Sequence, residues 1–285
     1  MRKRALFGPG GNSESFYAQG GKSTKEAPAW LVSVGLDAYE FEAGNGIRAG
    51  ESALSAIGDA ARAFDIKMSF HTPYFISLSG TEEEKRLKSI DYIRDSLRAA
   101  ELLGAGTIVV HSGSAAKISR GEAMRLASNT IYRALEALPD NGVKIGLETM
   151  GKINQLGTLS EVIELCKIDP IRLVPVVDFG HMNARNLGGL FVSSDDYLRV
   201  FDAIANGLDD EKAINLHCHF SKIEWTSSGE KRHLTFADET YGPDFEPLMK
   251  AIYDNNLAPT IICESAGTQS DDALAMKRCY MSFSN

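Results

Sequence analysis

Cysteine, histidine and long apolar runs are scarce in this chain of 285 residues, which has four cysteines and six histidines. No cysteine belongs to a C-x-x-C pair, which favours reduced thiols over a disulfide framework or a zinc-thiolate site. No apolar run approaches the roughly 20 residues that a membrane-spanning helix needs. Residues 5–10 are too few and too rich in glycine for the apolar core of a signal peptide. We therefore expect a cytoplasmic protein with no membrane partner.

Basic charge is also in short supply, because the formal net charge is −8. This balance argues against broad nonspecific binding to nucleic acid, which depends on Lys and Arg at phosphates. Bound metal ions would add positive charge that the count omits. With 44% hydrophobic residues and no linker or low-complexity tract, residues 1–285 are expected to form a single domain, and a monomer is expected.

Short β-rich segments alternate with longer amphipathic ones, such as a predicted helix over Thr81–Leu103. Several of the segments are continuously apolar, as parallel strands covered on both faces are. The pattern predicts a (β/α)8 barrel, that is, a TIM barrel, with an open doubly wound sheet as the alternative. Two segments without clear periodicity, Gly10–Gly21 and Trp225–Gly242, are predicted loops over the C-terminal mouth. The eight predicted strands are Arg4–Gly8, Ala38–Glu42, Ile66–His71, Thr107–His111, Lys144–Glu148, Leu173–Asp178, Ala213–Phe220 and Pro259–Glu264.

Every histidine lies at or just after the end of a predicted strand, together with several carboxylates. The carboxyl ends of barrel strands converge on one mouth, where barrel active sites lie. One such residue alone is more typical of a hydrogen-bonded structural side chain or a helix cap. Gathered in one pocket, they would repel one another or lack partners without a cation. The set indicates a site for zinc, manganese or iron: His71, His111, Glu148, Asp178, His181, His217, His219, His233 and Glu264.

An ordered series of short motifs across six strands resembles the endonuclease IV family of abasic-site endonucleases (AP endonuclease family 2), over nearly the whole chain. Any one motif would be weak, whereas the ordered series is specific. The motifs are Phe70-His71-Thr72-Pro73-Tyr74-Phe75-Ile76-Ser77-Leu78, Val110-His111-Ser112-Gly113, Leu147-Glu148-Thr149-Met150-Gly151, Val177-Asp178-Phe179-Gly180-His181, Leu216-His217 and Cys263-Glu264-Ser265.

The resemblance implies a TIM-barrel hydrolase that holds two or three Zn²⁺ ions and cleaves DNA 5′ of abasic sites in base excision repair. The implied first ion takes His71, His111 and Glu148. The implied second ion shares Glu148 and adds Asp178, His217 and Glu264. The implied third ion takes His181, His233 and a further carboxylate. Glu148 and Glu264 are the implied catalytic carboxylates, which bridge or orient the metals.

The chain departs from the family pattern in three places. The third site has Glu230-Lys231-Arg232-His233, with a longer acid and one residue more than the family spacing; His219 is an alternative ligand, because residues i and i+2 of a strand face the same way. The first loop reads Gly8-Pro9-Gly10-Gly11-Asn12. The loop after the second strand is short and acidic, and Arg48 is its basic candidate for DNA contact. Tyr74 takes the position of an aromatic residue that stacks in the damaged duplex.

Two other functions stay open. In a sugar isomerase or epimerase of the xylose-isomerase-like barrels, Glu148, Asp178, His217 and Glu264 would hold one manganese or magnesium ion, with the two glutamates as the acid/base pair. The acidic charge favours that alternative, because a neutral sugar needs no basic surface. The extra histidines favour the endonuclease, because a single ion does not need them. A metal-bound barrel that binds nucleic acid or a partner without catalysis would keep the same ligands.

Overall fold

Eight parallel strands and one hairpin make up the β-structure of the protein, whose computed structural model describes residues 4–284. The barrel strands lie close to the predicted segments, each followed by helical structure as predicted. The strands are β1 (Leu6–Pro9), β2 (Ala38–Glu42), β3 (Lys67–His71), β4 (Thr107–His111), β5 (Lys144–Glu148), β6 (Leu173–Asp178), β7 (His217–Phe220), β8 (Ile223–Thr226), β9 (Gly229–His233) and β10 (Thr260–Cys263).

The barrel strands follow the order β1-β10-β7-β6-β5-β4-β3-β2, and the first and last of these also meet. Gly10, just beyond β1, forms a parallel bridge with Glu40 on β2. The amide of Gly11 donates to the Glu40 carbonyl at 2.9 Å, and the amide of Asp37 donates to the Phe7 carbonyl at 2.8 Å. These contacts close the sheet, so the barrel prediction is confirmed and the open doubly wound sheet is excluded.

The helices surround the sheet, and their ends follow local signals in the chain. The predicted helix Thr81–Leu103 is observed as Glu83–Leu103, and it ends at Gly104, whose φ of 69° is left-handed. A short 3₁₀ turn over Thr24–Glu26 precedes the second helix. The helices are α1 (Glu14–Ala18), α2 (Ala27–Val34), α3 (Glu51–Ala63), α4 (Glu83–Leu103), α5 (Arg120–Ala137), α6 (Leu159–Cys166), α7 (Phe179–Arg185), α8 (Ser194–Gly207), α9 (Asp210–Ile214), α10 (Glu246–Asp254) and α11 (Gln269–Ser282).

The two segments predicted as loops both contain regular structure. The segment Gly10–Gly21 includes α1, whose first turn is capped by the Ser13 side chain accepting from the Phe16 amide. The segment Trp225–Gly242 includes most of the antiparallel β8–β9 hairpin. Both follow a barrel strand, so the predicted position at the C-terminal mouth holds. The seventh barrel strand also begins later than predicted, because residues 210–214 form α9.

Apolar side chains fill the space between the sheet and the helices. Ile108, Val109 and Val110 of β4 are each fully buried, which confirms a strand covered on both faces. Cys218 and Cys263 are buried as free thiols within β7 and β10. Among residues 4–284, the helices are either too short or too polar to cross a bilayer.

Gly8 lies where β1 packs closely on β2. A β-carbon at this position would stand 1.8 Å from the carbonyl oxygen of Ala38 and 2.3 Å from its carbonyl carbon. These are backbone atoms, so no side-chain rotation relieves the clash. The closure of the barrel between β1 and β2 therefore depends on the missing side chain.

We predict that Gly8→Ala lowers the free energy of unfolding by about 1–3 kcal/mol or more, the usual cost of overpacking. Gly121→Ala in α5 is the matched control, because a β-carbon there would extend into open space beside the helix. Alanine at that position should be neutral or stabilising by up to about 1 kcal/mol. Thermal unfolding of both variants measures the difference. Equal melting temperatures for Gly8→Ala and the wild type would contradict this account of the closure.

Candidate metal centre

The parallel register of the barrel brings polar residues from neighbouring strands side by side at the C-terminal mouth. His111 at the end of β4 is the register partner of Glu148 at the end of β5. Asp178 at the end of β6 is the partner of His219 on β7. Register partners on neighbouring strands face the same side of the sheet, so both residues of each pair add to the same site. Residues that are far apart along the chain thus lie within a few ångströms of one another.

The first group consists of His71, His111 and Glu148, whose ligand atoms lie within 4.8 Å of one another. Glu148 Oε2 is 3.2 Å from His111 Nε2 and 3.7 Å from His71 Nε2. The Nδ1–H of His71 donates to the Thr72 carbonyl at 3.0 Å. Because that bond occupies Nδ1, Nε2 remains as the nitrogen that faces the group.

The second group consists of Glu148, Asp178, His219 and Glu264, again with ligand atoms within 4.8 Å of one another. His219 Nδ1 is 2.8 Å from Glu148 Oε1 and 3.4 Å from Glu264 Oε1. Asp178 Oδ1 caps α7 by accepting from the His181 amide at 2.7 Å. Its other oxygen, Oδ2, is buried and has no hydrogen-bond partner among the described residues. Glu148 therefore belongs to both groups, one oxygen to each.

The third group consists of His181, Glu230 and His233. The Nδ1–H of His181 donates to the Thr149 carbonyl at 3.0 Å, which leaves Nε2 at 3.5 Å from Glu230 Oε2. Gly151 permits this approach, since a β-carbon there would lie 2.6 Å from the Glu230 β-carbon and 3.1 Å from His181 Cδ2. The predicted residues of the third site are thus brought together.

The extra residue between Glu230 and His233 is accommodated by an irregularity in the hairpin. Trp225 is the register partner of Glu230, whereas the preceding Glu224 is the partner of Arg232, so β9 has one residue more than β8 at this point. A bulge of this kind re-aims the side chains that follow it. Two residues three apart can therefore face the same group, where a regular strand would require a spacing of two.

The structure differs from the expected ligand set at β7. His219, not His217, lies beside Glu148, Asp178 and Glu264. His217 is the first residue of β7, and its Nε2 is 2.9 Å from Glu40 Oε2 on β2. The physical reason is the strand boundary: β7 runs on past His217, so His219 lies two residues nearer the mouth, which is roughly 6.6 Å along the strand.

Two further acidic residues of the site, Glu40 and Glu42 on β2, were missing from the predicted ligands. Glu40 is fully buried, and Glu42 lines the mouth as the register partner of His71. Carboxylates at positions i and i+2 near the end of a predicted strand face the same side, which is the signal that identifies them.

Buried, unpaired oxygens indicate that the site fits a cation. Glu148 Oε2 and Asp178 Oδ2 have no hydrogen-bond partner among the described residues. Burial and the repulsion of Asp178 and Glu148 raise the pKa of Glu264 well above its usual range, although His219 opposes the shift. Burial likewise acts to raise the pKa of Glu148, but the histidines around it hold that pKa well below its usual range. Imidazole and carboxylate donors in this density suit divalent transition metals.

Members of all three groups line a cleft of about 500 Å³, while Asp178 and His219 lie fully buried outside its lining. The Tyr74 ring lies 5.5 Å from the His71 ring and 5.3 Å from the His111 ring, while 58% of the residue remains exposed. Lys152 is the one Lys or Arg among the described residues that line the cleft, which also include Glu42 and Glu230. Arg48 is exposed and lies outside this lining.

The sequence matches one protein-family model and two kinds of related protein. Residues 28–279 match the model of the xylose isomerase-like TIM-barrel family. An uncharacterized protein of Methanocaldococcus jannaschii is 30% identical over 88% of this chain and 89% of its own length. A probable endonuclease 4 of Acholeplasma laidlawii is 28% identical over 64% of this chain and 61% of its own length.

Two solved structures share the fold at low sequence identity. Endonuclease IV from Thermus thermophilus has a TM-score of 0.67 and 18% identity, with 98% of each chain covered. A D-tagatose 3-epimerase-like protein has a TM-score of 0.67 and 19% identity, covering 90% of this chain and 92% of the other. At these identities the likeness establishes the fold alone. A nuclease and an epimerase have the same TM-score, so the comparison does not distinguish between the two activities.

We predict that zinc raises the melting temperature of chelator-treated protein by several degrees. Each site filled at 100 times its dissociation constant adds about 2.7 kcal/mol to the free energy of unfolding. Magnesium, which prefers all-oxygen ligands and its own waters, should give a smaller shift at the same concentration. Differential scanning calorimetry with each ion measures this. A melting temperature that neither ion changes would contradict a metal centre.

Proposed function

Because the chain belongs to the xylose isomerase-like TIM-barrel family, we propose that it is a metal-dependent phosphodiesterase that hydrolyses DNA 5′ of abasic sites, with zinc as the favoured ion. The observation that carries the proposal is the third group, His181, Glu230 and His233, beside the first two. An enzyme that needs one ion has no use for three adjacent sets of ligands. Curated relatives named probable endonuclease 4 support the same activity.

The proposed ligands follow from the geometry of the groups. His71, His111 and Glu148 would hold one ion, and His181, Glu230 and His233 another. Glu148 would also serve the second group with Asp178, His219 and Glu264, where His219 replaces the expected His217. Bound there, divalent ions would lower the pKa of the attacking water and neutralise charge on the phosphate oxygens.

The chain's own residues would position the reaction. Hydrogen bonds to the Thr72 and Thr149 carbonyls fix the rings of His71 and His181. Glu264, at the open side of the second group, would orient the reacting water by accepting a hydrogen bond from it. Tyr74, half-exposed above the first group, would stack on an exposed base or the gap beside it.

The acidic lining of the cleft favours a second candidate, a sugar isomerase or epimerase. Glu42, Glu230 and Glu264 line it, with Lys152 as the one Lys or Arg among its described residues. A neutral sugar tolerates such a lining better than a phosphodiester does, unless bound ions reverse the charge. Glu148 and Glu264 would then exchange a proton with the sugar, and one ion would suffice.

We predict that the zinc-loaded protein nicks a duplex on the 5′ side of a tetrahydrofuran abasic analogue, and that a chelator stops it. The analogue cannot undergo β-elimination, so a nick reports hydrolysis. Glu264→Gln should reduce the rate by about 100-fold or more, beyond the loss typical of a residue that only supports a ligand. Glu164→Gln, an exposed change on α6, is the matched control and should leave the rate unaltered. Near-normal cleavage by Glu264→Gln would show that the reaction does not depend on the Glu264 carboxylate. No cleavage by any form, with about one ion per chain, would favour the isomerase.

We predict that Tyr74→Ala weakens binding to the damaged duplex about 10-fold or more, because one base stack contributes about 1–3 kcal/mol. Its zinc content should stay that of the wild type, and Tyr74→Phe should retain most of the affinity. Tyr132→Ala is the matched control, since Tyr132 on α5 is 56% exposed and Tyr74 is 58% exposed. Fluorescence anisotropy with a catalytically inactive, zinc-loaded background measures the affinity. Equal affinities for the Tyr74→Ala and Tyr132→Ala forms would show that Tyr74 does not contribute to binding of the damaged duplex.

A further inference from the structure

Glu40 is a fully buried carboxylate that no ligand set described above requires. It lies on β2 and reaches across the barrel to β7, with β1 and β10 between the two strands in the sheet. Its Oε2 accepts a hydrogen bond from His217 Nε2 at 2.9 Å, and its Oε1 lies 2.9 Å from His219 Nε2. Burial of an ionised carboxylate is costly unless it is paired, so two imidazoles facing it indicate a specific role.

The His219 ring has a nitrogen on each side of this arrangement. Nδ1 faces the second group, at 2.8 Å from Glu148 Oε1, whereas Nε2 faces Glu40. A neutral imidazole carries one proton, so a ring that binds an ion through Nδ1 must keep its proton on Nε2. Metal-binding histidines commonly donate their second N–H to a carboxylate, which fixes the ring and its tautomer.

The contact between Glu40 and His219 is close but not aligned as a hydrogen bond. Glu40 Oε1 and His219 Nε2 both lack a hydrogen-bond partner among the described residues. The Glu40 oxygen can therefore still accept a hydrogen bond, and the His219 nitrogen that faces it can still donate one. A small rotation of the ring, as Nδ1 exchanges Glu148 for an ion, would align the pair.

We propose that Glu40 is a positioning residue that holds His219 with Nδ1 toward the second group, and that His217 in turn holds Glu40. This inference rests on the proposed metal centre. It gives each histidine of His217-Cys218-His219 a separate role. His219, nearer the mouth, binds the ion, and His217 supports the Glu40 carboxylate. The order of contacts is His217, Glu40, His219 and then the second group.

The competing interpretation is a separate ion held by Glu40, His217 and His219, whose ligand atoms also lie within 4.8 Å of one another. That interpretation requires His219 to bind ions through both nitrogens. It also requires His217 Nε2 to exchange its hydrogen bond with Glu40 for a metal bond. The two interpretations differ in the number of ions lost when Glu40 or His217 is changed.

The test compares Glu40→Gln, His217→Gln and His219→Gln with the wild type, after circular dichroism has shown that each is folded. Zinc per chain is measured by mass spectrometry at saturating zinc, and affinity by chelator competition. Glu40→Gln should retain the full number of ions but bind one of them about 10–100-fold more weakly. His219→Gln should lose one ion outright. His217→Gln should bind all ions within a few-fold of the wild type, because the glutamine amide can still donate to Glu40.

A cobalt-substituted sample provides a second readout, since its visible spectrum reports ligand geometry without turnover. Glu40→Gln should shift the bands of one ion, and His217→Gln should leave them nearly unchanged. Wild-type affinity and spectrum in Glu40→Gln would overturn the inference while leaving the proposed function intact. Loss of a whole ion in both Glu40→Gln and His217→Gln would overturn it in favour of the separate site. A wild-type protein that binds no ion would overturn the inference and the proposed function together.

Discussion

The buried carboxylate of Glu148 is the contact on which the centre depends. One of its oxygens faces His71 and His111, and the other faces His219 at 2.8 Å and His181 at 3.7 Å. It therefore touches members of all three groups. Removing such a charge from water costs several kcal/mol, which neighbouring positive or hydrogen-bonding groups must offset. The surrounding histidines do so in part, and the unpaired Oε2 is where a cation would complete the compensation.

The barrel supplies the geometry that makes this concentration of charge achievable. Parallel strands in register place their last inward residues at one level, and β1 closes on β2 only because Gly8 has no side chain. Closure in turn carries Glu40 into the same interior as the residues of β3 to β7, and Glu42 to the same mouth. A more open sheet would leave β2 at an edge, far from His217 and His219.

The β8–β9 hairpin extends the centre beyond the barrel. Its bulge turns Glu230 and His233 toward His181, which β6 and α7 position from below. Arg232 and Lys231, by contrast, both pair with Glu224 at 2.6 Å, which offsets one of their two positive charges, and neither residue lines the cleft. The mouth consequently remains acidic, and any anionic substrate would depend on bound ions for its attraction.

The sequence predicts the barrel and most residues of the site, because these depend on patterns within short segments. Alternating strand and helix patterns predict the barrel, and a strand's length places His71, His111, Glu148 and Asp178 at its end. A glycine at the end of a motif, such as Gly151, indicates that another segment packs closely against the backbone there. It does not identify that segment. Periodicity does not reveal the partner, because the Glu230 side chain that meets Gly151 comes from a hairpin predicted as a loop.

The sequence by itself determined the fold class, the mouth at which the polar residues gather, and most of the proposed ligands, because these depend on strand order and a period of two. Only the tertiary structure showed that His219, and not His217, lies beside Glu148, that a bulge accommodates the extra residue before His233, and that Glu40 contacts β7. Those outcomes depend on where a strand begins, where it bulges and which side chains meet across a closed barrel. Each depends on contacts between distant segments. The spacing of Glu40 and Glu42 shows that they share a face of the strand, but the local pattern does not show which side chains they meet.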